Sequence, residues 1–563
     1  MYKVLIQGND YTSYQYVETK TFCVIDNIPK TPLEMKLFSN DVFDFDVDTG
    51  HHGLVHSNFK ANKMIPGILD LTMTHGKDGK KFLYLCKPDD KRTPFFLVPY
   101  AIPPSFDKSV RKLYITFEYK HWNNTRPYGT MTQNVGSIDE LNHFYEYILY
   151  CKSLNVSIQQ FTKEAKKKLQ YESNDQIIEN IAKQYNLEER GEKDYFIFTL
   201  DSATSNDYDD AISYDFKEHK ISIYITNVAL ILDYLDLWDA FSNRVSTIYL
   251  PDRKRTMLPA MLVDCLCSLK QKEYKLCYVL DIFYDEHNQI RKQKLGLCKA
   301  YIKKNLNYER NYDENPHIQK LFELLHIKTT HQIVTRLMLR FNHFVAQTFA
   351  AQKMGIFKSL EQIKQTNEDN IPEEIYHHLC ILKSKASAYC LYDDQLKYQS
   401  ITHSDMDVYL QITSPIRRLV DLLNNIVLVE LVSKVGISER GKEFYKTWTK
   451  APALEFINVS SRAIRKIQSK CQIYQQYEHN KAQGLSPYYQ GFLFDKLKKQ
   501  GDGKFQYMVY IPKLHLTTYV SLLQDLKNHS MHLFSLHVFM NEENDKKKIK
   551  LQLCYEDRNI DFT

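Results

Sequence analysis

The chain has little of what makes linkers. Glycine and proline number 17 each in 563 residues, too few for collagen-like or low-complexity spacers, and no repeat of fixed period is present. Long apolar runs are missing too. Ile426–Val432, interrupted by Glu430, is far too short to cross a bilayer. Met1-Tyr-Lys-Val-Leu5 passes directly into polar Gln7–Tyr16, without the apolar core of a secretory leader. A soluble chain with no membrane role is expected. Regular cysteine spacing is absent as well. The 11 cysteines stand singly, and Cys265-Leu-Cys267 has no second pair nearby to complete a zinc site. Reduced thiols and a cytoplasmic location are the expectation.

What is present is globular in composition, with 43% hydrophobic and 25% charged residues. The length suffices for three or four domains. A net charge of +6 permits a polyanionic partner without demanding one. The 40 Tyr and 30 Phe supply rings that could stack on bases, although most such rings fill cores.

Four regions follow from the patterning. Residues 1–95 alternate short apolar runs with turn signals such as Asp48-Thr-Gly50 and Lys77-Asp-Gly79, predicting a small β module. Residues 96–180 continue with a strand at Lys112–Tyr119 and a tight turn at Thr125–Gly129. A charged helical connector then starts near Gln160, where Lys163 and Lys166–Lys168 read as a solvated face. Residues 181–482 form the largest unit. Strands are expected at Tyr195–Leu200 and Lys220–Val228, and a helix from His331 that repeats Ile333, Val334, Leu337, Met338 and Phe341 at three- and four-residue intervals. A further helix should open at Ser414-Pro415. Residues 483–563 return to strands at Tyr489–Phe494, Gln506–Ile511, Leu533–Phe539 and Lys548–Leu553, which fits a small OB-type barrel. The fold class expected from the patterning is an α+β domain flanked by small all-β modules, the one after it an OB-type barrel.

The most informative segment is Asp201-Ser-Ala-Thr-Ser-Asn-Asp207-Tyr-Asp209-Asp210, with no Lys or Arg before Lys217. Two carboxylates about 4 Å apart repel by roughly 4 kcal/mol at an effective dielectric near 20, so their convergence needs a cation or a proton. All-oxygen ligands suit a hard ion, Mg²⁺ or Mn²⁺, which activates water and stabilises displacement at a phosphodiester. The loop lacks the glycine at the sixth position and the terminal Glu of a calcium EF-hand. A solvated acidic loop is the plain alternative.

A second segment, Thr413-Ser-Pro-Ile-Arg417-Arg418-Leu-Val-Asp421, resembles the signature of ribonuclease II and ribonuclease R catalytic domains. The aspartate loop is similar to that family's metal-binding loop. In order between the two, Arg244–Pro251 with Met257-Leu-Pro259, Cys267-Ser-Leu269, Leu306-Asn-Tyr-Glu309 and Met338–Asn342 also resemble family segments. The resemblance covers roughly residues 181–479. It implies cold-shock-type OB modules ahead of the catalytic domain, the second carrying Trp122, Pro127 and Gly129, a C-terminal RNA-binding OB module, and no endonuclease module. It implies a 3′→5′ exoribonuclease that hydrolyses single-stranded RNA processively to nucleoside 5′-monophosphates with Mg²⁺, working as a monomer. The chain departs from the pattern at Tyr224 and Asn227, where relatives have His and Asp, at Leu419 in place of an aromatic residue, at Asn425 and near Gln468. A catalytically inactive RNA-binding protein of the same fold is the alternative.

On that resemblance Asp201, Asp207, Asp209 and Asp210 jointly hold the metal, and Arg417 stabilises charge on the scissile phosphate. Tyr249 and Tyr308 contact or stack on the last nucleotides. Arg418, Arg244 and Ser414 are further candidates for RNA contact, with internal pairing the alternative for Arg418 and a structural role for Arg244. Tyr398, Tyr409 and Tyr474 are expected in the core.

Overall fold

The computed structural model describes residues 1–103, 110–123, 125–310, 312, 314–359, 387–393, 408–485, 487–498, 503–541, 543 and 545–554. Tyr398 lies outside them. The chain divides into two compact units. One comprises Met1–Asn155, Leu250–Asp252 and Ile467–Thr563, the other Val156–Tyr249 and Arg253–Lys466.

The first unit opens with β1 (Tyr2–Ile6), β2 (Tyr14–Glu18), β3 (Val24–Ile25), β4 (Val42–Phe45) and β5 (His52–His56), in the order β3-β2-β1-β4-β5. It continues with β6 (Ile65–Asp78), β7 (Lys81–Pro88), β8 (Phe96–Tyr100), β9 (Lys112–His121) and β10 (Tyr128–Ser137), which close into a barrel. Gly67 and Gly129 permit the closure. A Cβ at Gly67 would meet Cys86 Sγ at 2.6 Å, and one at Gly129 would meet the Phe117 ring at 2.7 Å. The division expected at residue 95 falls between β7 and β8, which pair antiparallel inside this barrel. The Gly and Asp turn signals of that stretch mark hairpin bends, and Phe38, Phe43, Phe96 and Phe117 share one core across both sheets.

The second unit is α+β. Its main sheet runs β11-β18-β17-β14-β13-β12-β19, from β11 (Glu188–Arg190), β12 (Phe198–Asp201), β13 (Asp210–Asp215), β14 (Lys220–Thr226), β17 (Glu273–Tyr284), β18 (Ile290–Ile302) and β19 (Lys304–Asn307). Two-residue strands β15 (Ile248–Tyr249) and β16 (Lys254–Arg255) form a separate ladder, as do β20 (Ile356–Ser359) and β21 (Ala388–Leu391). β14 alternates Ile221, Ile223 and Ile225 as expected, yet every one of its residues is buried, because it lies mid-sheet with both faces covered. The expected helix runs Thr330–Ala351 and starts at a capping box of Thr329 and Gln332. The helix expected to open at Ser414-Pro415 begins instead at Leu419. The amides of Arg417 and Arg418 both reach the Ser414 carbonyl, forming a turn. The chain then runs extended beside residues 245–247 before it coils.

Returning to the first unit, β22 (Tyr488–Lys498), β23 (Phe505–Ile511), β24 (Leu516–Leu522), β25 (Met531–Asn541) and β26 (Lys546–Leu553) form a sheet in the order β24-β23-β22-β25-β26. The three β modules share one connectivity, in which the first strand pairs with the second and the fourth. Among the described residues, only in the middle module do the third and fifth strands also pair, in parallel, and close the OB-type barrel. No described helix is long and apolar enough to cross a membrane.

Candidate active site

The aspartate loop leaves β12 at Asp201 and re-enters the sheet at Asp210, the first residue of β13. Segments distant in sequence pin it. Tyr208 N donates to Ser268 Oγ at 3.0 Å, Leu269 N to Tyr208 O at 3.0 Å, and Thr226 N to Asp209 O at 2.9 Å. The Cys267-Ser-Leu269 segment is thus the clamp on the loop.

The Thr413–Arg418 turn is brought against this loop through residues 245–247. Thr247 N and Ser246 Oγ donate to Arg417 O at 2.9 and 2.8 Å, and Leu419 N to Val245 O at 2.9 Å. The turn then grips Asp209, which is 3% exposed. Ile416 N donates to Asp209 Oδ1 and Arg417 Nε to Oδ2, each at 3.0 Å. Arg417 Nη2 adds a bond to Ser414 Oγ at 3.0 Å.

The carboxylates have unequal surroundings. Burial pushes Asp209 up to about 6 even though Arg417 and the Ile416 amide oppose the shift. Burial, then repulsion from Asp209, pushes Asp201 up to about 7. Asp210 is raised well above its ordinary value, by burial first and then by Asp201 and Asp209. Asp201 Oδ2 is buried without a hydrogen-bond partner, and so is Asn307 Oδ1 at the paired position of β19. Asp207 differs. Lys254 Nζ binds both its oxygens, at 2.8 and 2.9 Å. The loop therefore does receive local cations, contrary to the expectation from its sequence, because folding delivers Lys254 and Arg417 from 47 and more than 200 residues away.

Three carboxylates with surplus negative charge and an orphaned oxygen fit a hard cation in chemistry. Among the described residues no three His, Cys, Asp or Glu side chains are gathered as a ready cage. Of the four expected aspartates, Asp207 is held by lysine, and Asp201, Asp209 and Asp210 are the carboxylates raised by burial and, for Asp201 and Asp210, by their neighbours.

Arg417 is 43% exposed. Burial works against its charge, but Asp209, Tyr249 and Asp210 together outweigh that and hold it above the ordinary guanidinium value. Tyr249, 38% exposed, stands near this group. Its phenol is pushed up to about 12 by burial, with Arg417 opposing and Asp207 adding. The Tyr308 amide donates to Asp201 O at 2.9 Å, and its ring lies 5.3 Å from His331. Burial, then Asp201 and Asp210, raise the Tyr308 phenol.

The other RNA-contact candidates are engaged inside the protein. Ser414 is 3% exposed; its amide donates to Asp421 Oδ1 and its hydroxyl accepts from Arg417. Arg418 pairs with the fully buried Asp421 at 2.7 Å. Arg244 holds the carbonyls of Thr256 and Val156. These three position the turn and its supports, a role a linear motif does not distinguish from ligand contact. The departures at Tyr224, Asn227, Leu419 and Asn425 are all buried. Tyr224 bonds Arg190 and Ser213, Asn227 caps the Val228–Tyr234 helix, and Asn425 donates to Ile412 O. Tyr474 is in the core as expected, and Tyr409 Oη accepts from Asn342. Lys254 is the residue that sequence reasoning does not single out, although the basic run Arg253-Lys-Arg255 starts two residues after the Arg244–Pro251 segment. A cavity of about 660 Å³ elsewhere in this unit, lined by Arg336, Arg340 and His343, contains none of the site residues.

An RNB domain matches residues 190–313. Ribonuclease R of Aquifex aeolicus is 28% identical over 119 residues, which are 20% of this chain and 17% of that protein. The chain thus aligns with less than a fifth of that relative's length. In fold the chain is similar to Mycoplasma genitalium RNase R, solved in complex with ribose methylated single-stranded RNA (TM-score 0.64, 16% identity, 97% of this chain and 96% of that one). It is also similar to yeast Ssd1, described as a pseudonuclease (TM-score 0.57, 12% identity, 84% and 66%). The resemblance to ribonuclease R thus spans the RNB match in sequence and most of the chain in fold, at low identity.

Proposed function

We propose that the protein is a 3′→5′ exoribonuclease that hydrolyses single-stranded RNA to nucleoside 5′-monophosphates with Mg²⁺. The observation that carries the reading is Asp209, clamped between the Ile416 amide and Arg417, with Asp201 and Asp210 left uncompensated beside it. When bound, a hard divalent ion supplies an activated water and neutralises charge on the phosphodiester oxygens. Asp201, Asp209 and Asp210 would hold it. Arg417 makes no hydrogen bond through Nη1 to a described residue, so that donor is available to a phosphate oxygen as charge develops. Asp209 and Ser414 fix the rest of the guanidinium, so little reorganisation is needed. Tyr249 and Tyr308 flank the group and offer rings to the terminal bases. The OB-type modules would guide a single strand by phosphate contact and stacking, and the protein would act as a cytoplasmic monomer.

A second reading has its own observation. Lys254 occupies both oxygens of Asp207, which favours an inactive RNA binder. A time course on 5′-labelled single-stranded RNA, with and without Mg²⁺, separates the two. A ladder that shrinks only with Mg²⁺ is expected; internal cuts or intact RNA would overturn the exonuclease reading.

A further inference from the structure

The lysine on Asp207 is placed too firmly for an incidental surface pair. Exposed ion pairs contribute little, because both partners have water to return to. Asp207 has little, with a side chain only 9% exposed. Lys254 is fixed from behind, since it pairs with Tyr249 in the β15–β16 ladder and precedes Arg255, which is 8% exposed. Met257 N adds a bond to Thr247 Oγ1 at 3.0 Å that ties down the returning chain. The ammonium therefore reaches both oxygens of one carboxylate from a held strand.

Charge then sets how many ions the loop accepts. Ionised Asp201, Asp207, Asp209 and Asp210 carry four negative charges. Lys254 and Arg417 return two positive ones. The remainder is the charge of one divalent cation, whereas phosphoryl-transfer sites that work with two ions need enough carboxylate to hold both. We infer that Lys254 is a built-in cation at Asp207, which restricts the carboxylate set to a single divalent ion and leaves Asp207 as the lysine's anchor. The inference rests on the metal reading above and on no assumption about cleavage. Lys254 is thus a positioning residue. It acts through Asp207 and needs no contact with substrate.

The test counts Mn²⁺ bound per full-length chain by equilibrium titration with electron paramagnetic resonance, taking the excess over an Asp201→Asn chain. Wild type should bind one ion. Lys254→Met, similar in shape but uncharged, should bind two, with the spectrum of an interacting pair, and Lys254→Arg should return to one. Melting curves of all chains confirm that they fold. Two ions in wild type, or one in Lys254→Met, would overturn the inference alone. No site-specific ion in any folded chain would overturn it together with the metal reading. If the counts change as expected but no chain cleaves RNA, the inference stands and only the exonuclease reading fails.

Discussion

Two charge clusters in the second unit differ in one respect. Around β11 and β17, Arg190 is 2% exposed and binds Asp281 through two hydrogen bonds of 2.9 and 2.7 Å. Ser222 donates to the same carboxylate, and Tyr224 and Glu188 each accept from a further guanidinium N–H. Burial alone would raise Asp281, yet Arg190, with Ser222 and Lys220, outweighs it and holds the group below its ordinary value. Around β12 and β13, Asp209 is equally deep and Asp201 and Asp210 are half-buried, but the three share Arg417, and all are raised. In a medium of low dielectric, a balanced set becomes a permanent part of the core. An unbalanced one persists only if something from outside completes it, and such imbalance collects at functional sites.

The largest effect should come from unbalancing the balanced set. Arg190→Met leaves Asp281 buried without its partner and should cost ~3–5 kcal/mol of stability, read by denaturant unfolding. A loss below about 1 kcal/mol would erase the contrast between the clusters. Next in size is Arg417→Lys, which keeps the charge but not the fork that spans Asp209 and Ser414. Its single-turnover rate on single-stranded RNA should fall ~10²–10³-fold, with the melting temperature held. Arg418→Lys should reverse that pattern, lowering the melting temperature through the buried Asp421. If Arg418→Lys is the slower of two equally stable variants, the catalytic arginine has been misplaced.

The clusters should also respond to pH with opposite sign. Asp281 has a folded pKa below its unfolded value of about 3.9, so its contribution is complete above about pH 4 and lost in more acid solution. Asp201, at about 7 when folded, binds more protons folded than unfolded between about pH 4 and 7. In chelator, it costs stability as the pH rises through that window. Asp201→Asn should therefore melt higher than wild type near pH ~7.5 in chelator and gain nothing near pH ~4. A variant less stable than wild type at the higher pH would show that Asp201 is not under strain.

The smallest effect lies in the first unit, where the same contrast recurs between neighbours. Lys546 is bound to Asp89 at 2.7 Å, while Lys548 is exposed. Lys548→Ala should lower the salt slope of RNA binding by about 0.7 and leave stability unchanged. Lys546→Ala should lower the melting temperature instead. Equal salt slopes for wild type and Lys548→Ala would remove β26 from the RNA path.

Legibility in the sequence followed the range of each interaction. The Thr330–Ala351 helix was readable because its apolar spacing and its capping box are local. Four of the five C-terminal strands were readable from runs of apolar residues, whereas β24, Leu-Thr-Thr-Tyr-Val-Ser-Leu, is mostly half-exposed and hides among polar residues. The start of the Leu419–Val432 helix was displaced by four residues. Ser414-Pro415 is a sound local signal, but residues 245–247 hold the next residues extended.

At the candidate site, the sequence by itself determined which side chains are available, an aspartate loop and an arginine turn in family order. That information is carried by residue type and spacing, which survive in one dimension. Only the tertiary structure decided how charge is shared among them. It gave Asp207 to Lys254, Asp209 to Arg417 and Asp421 to Arg418, turned Ser414 inward, and left Asp201 and Asp210 in surplus. The reason is that Coulomb energy depends on separation in space and on the surrounding dielectric. For pairs such as Asp209 and Arg417, 208 residues apart along the chain and 3.0 Å apart in the fold, neither quantity exists until the chain has folded.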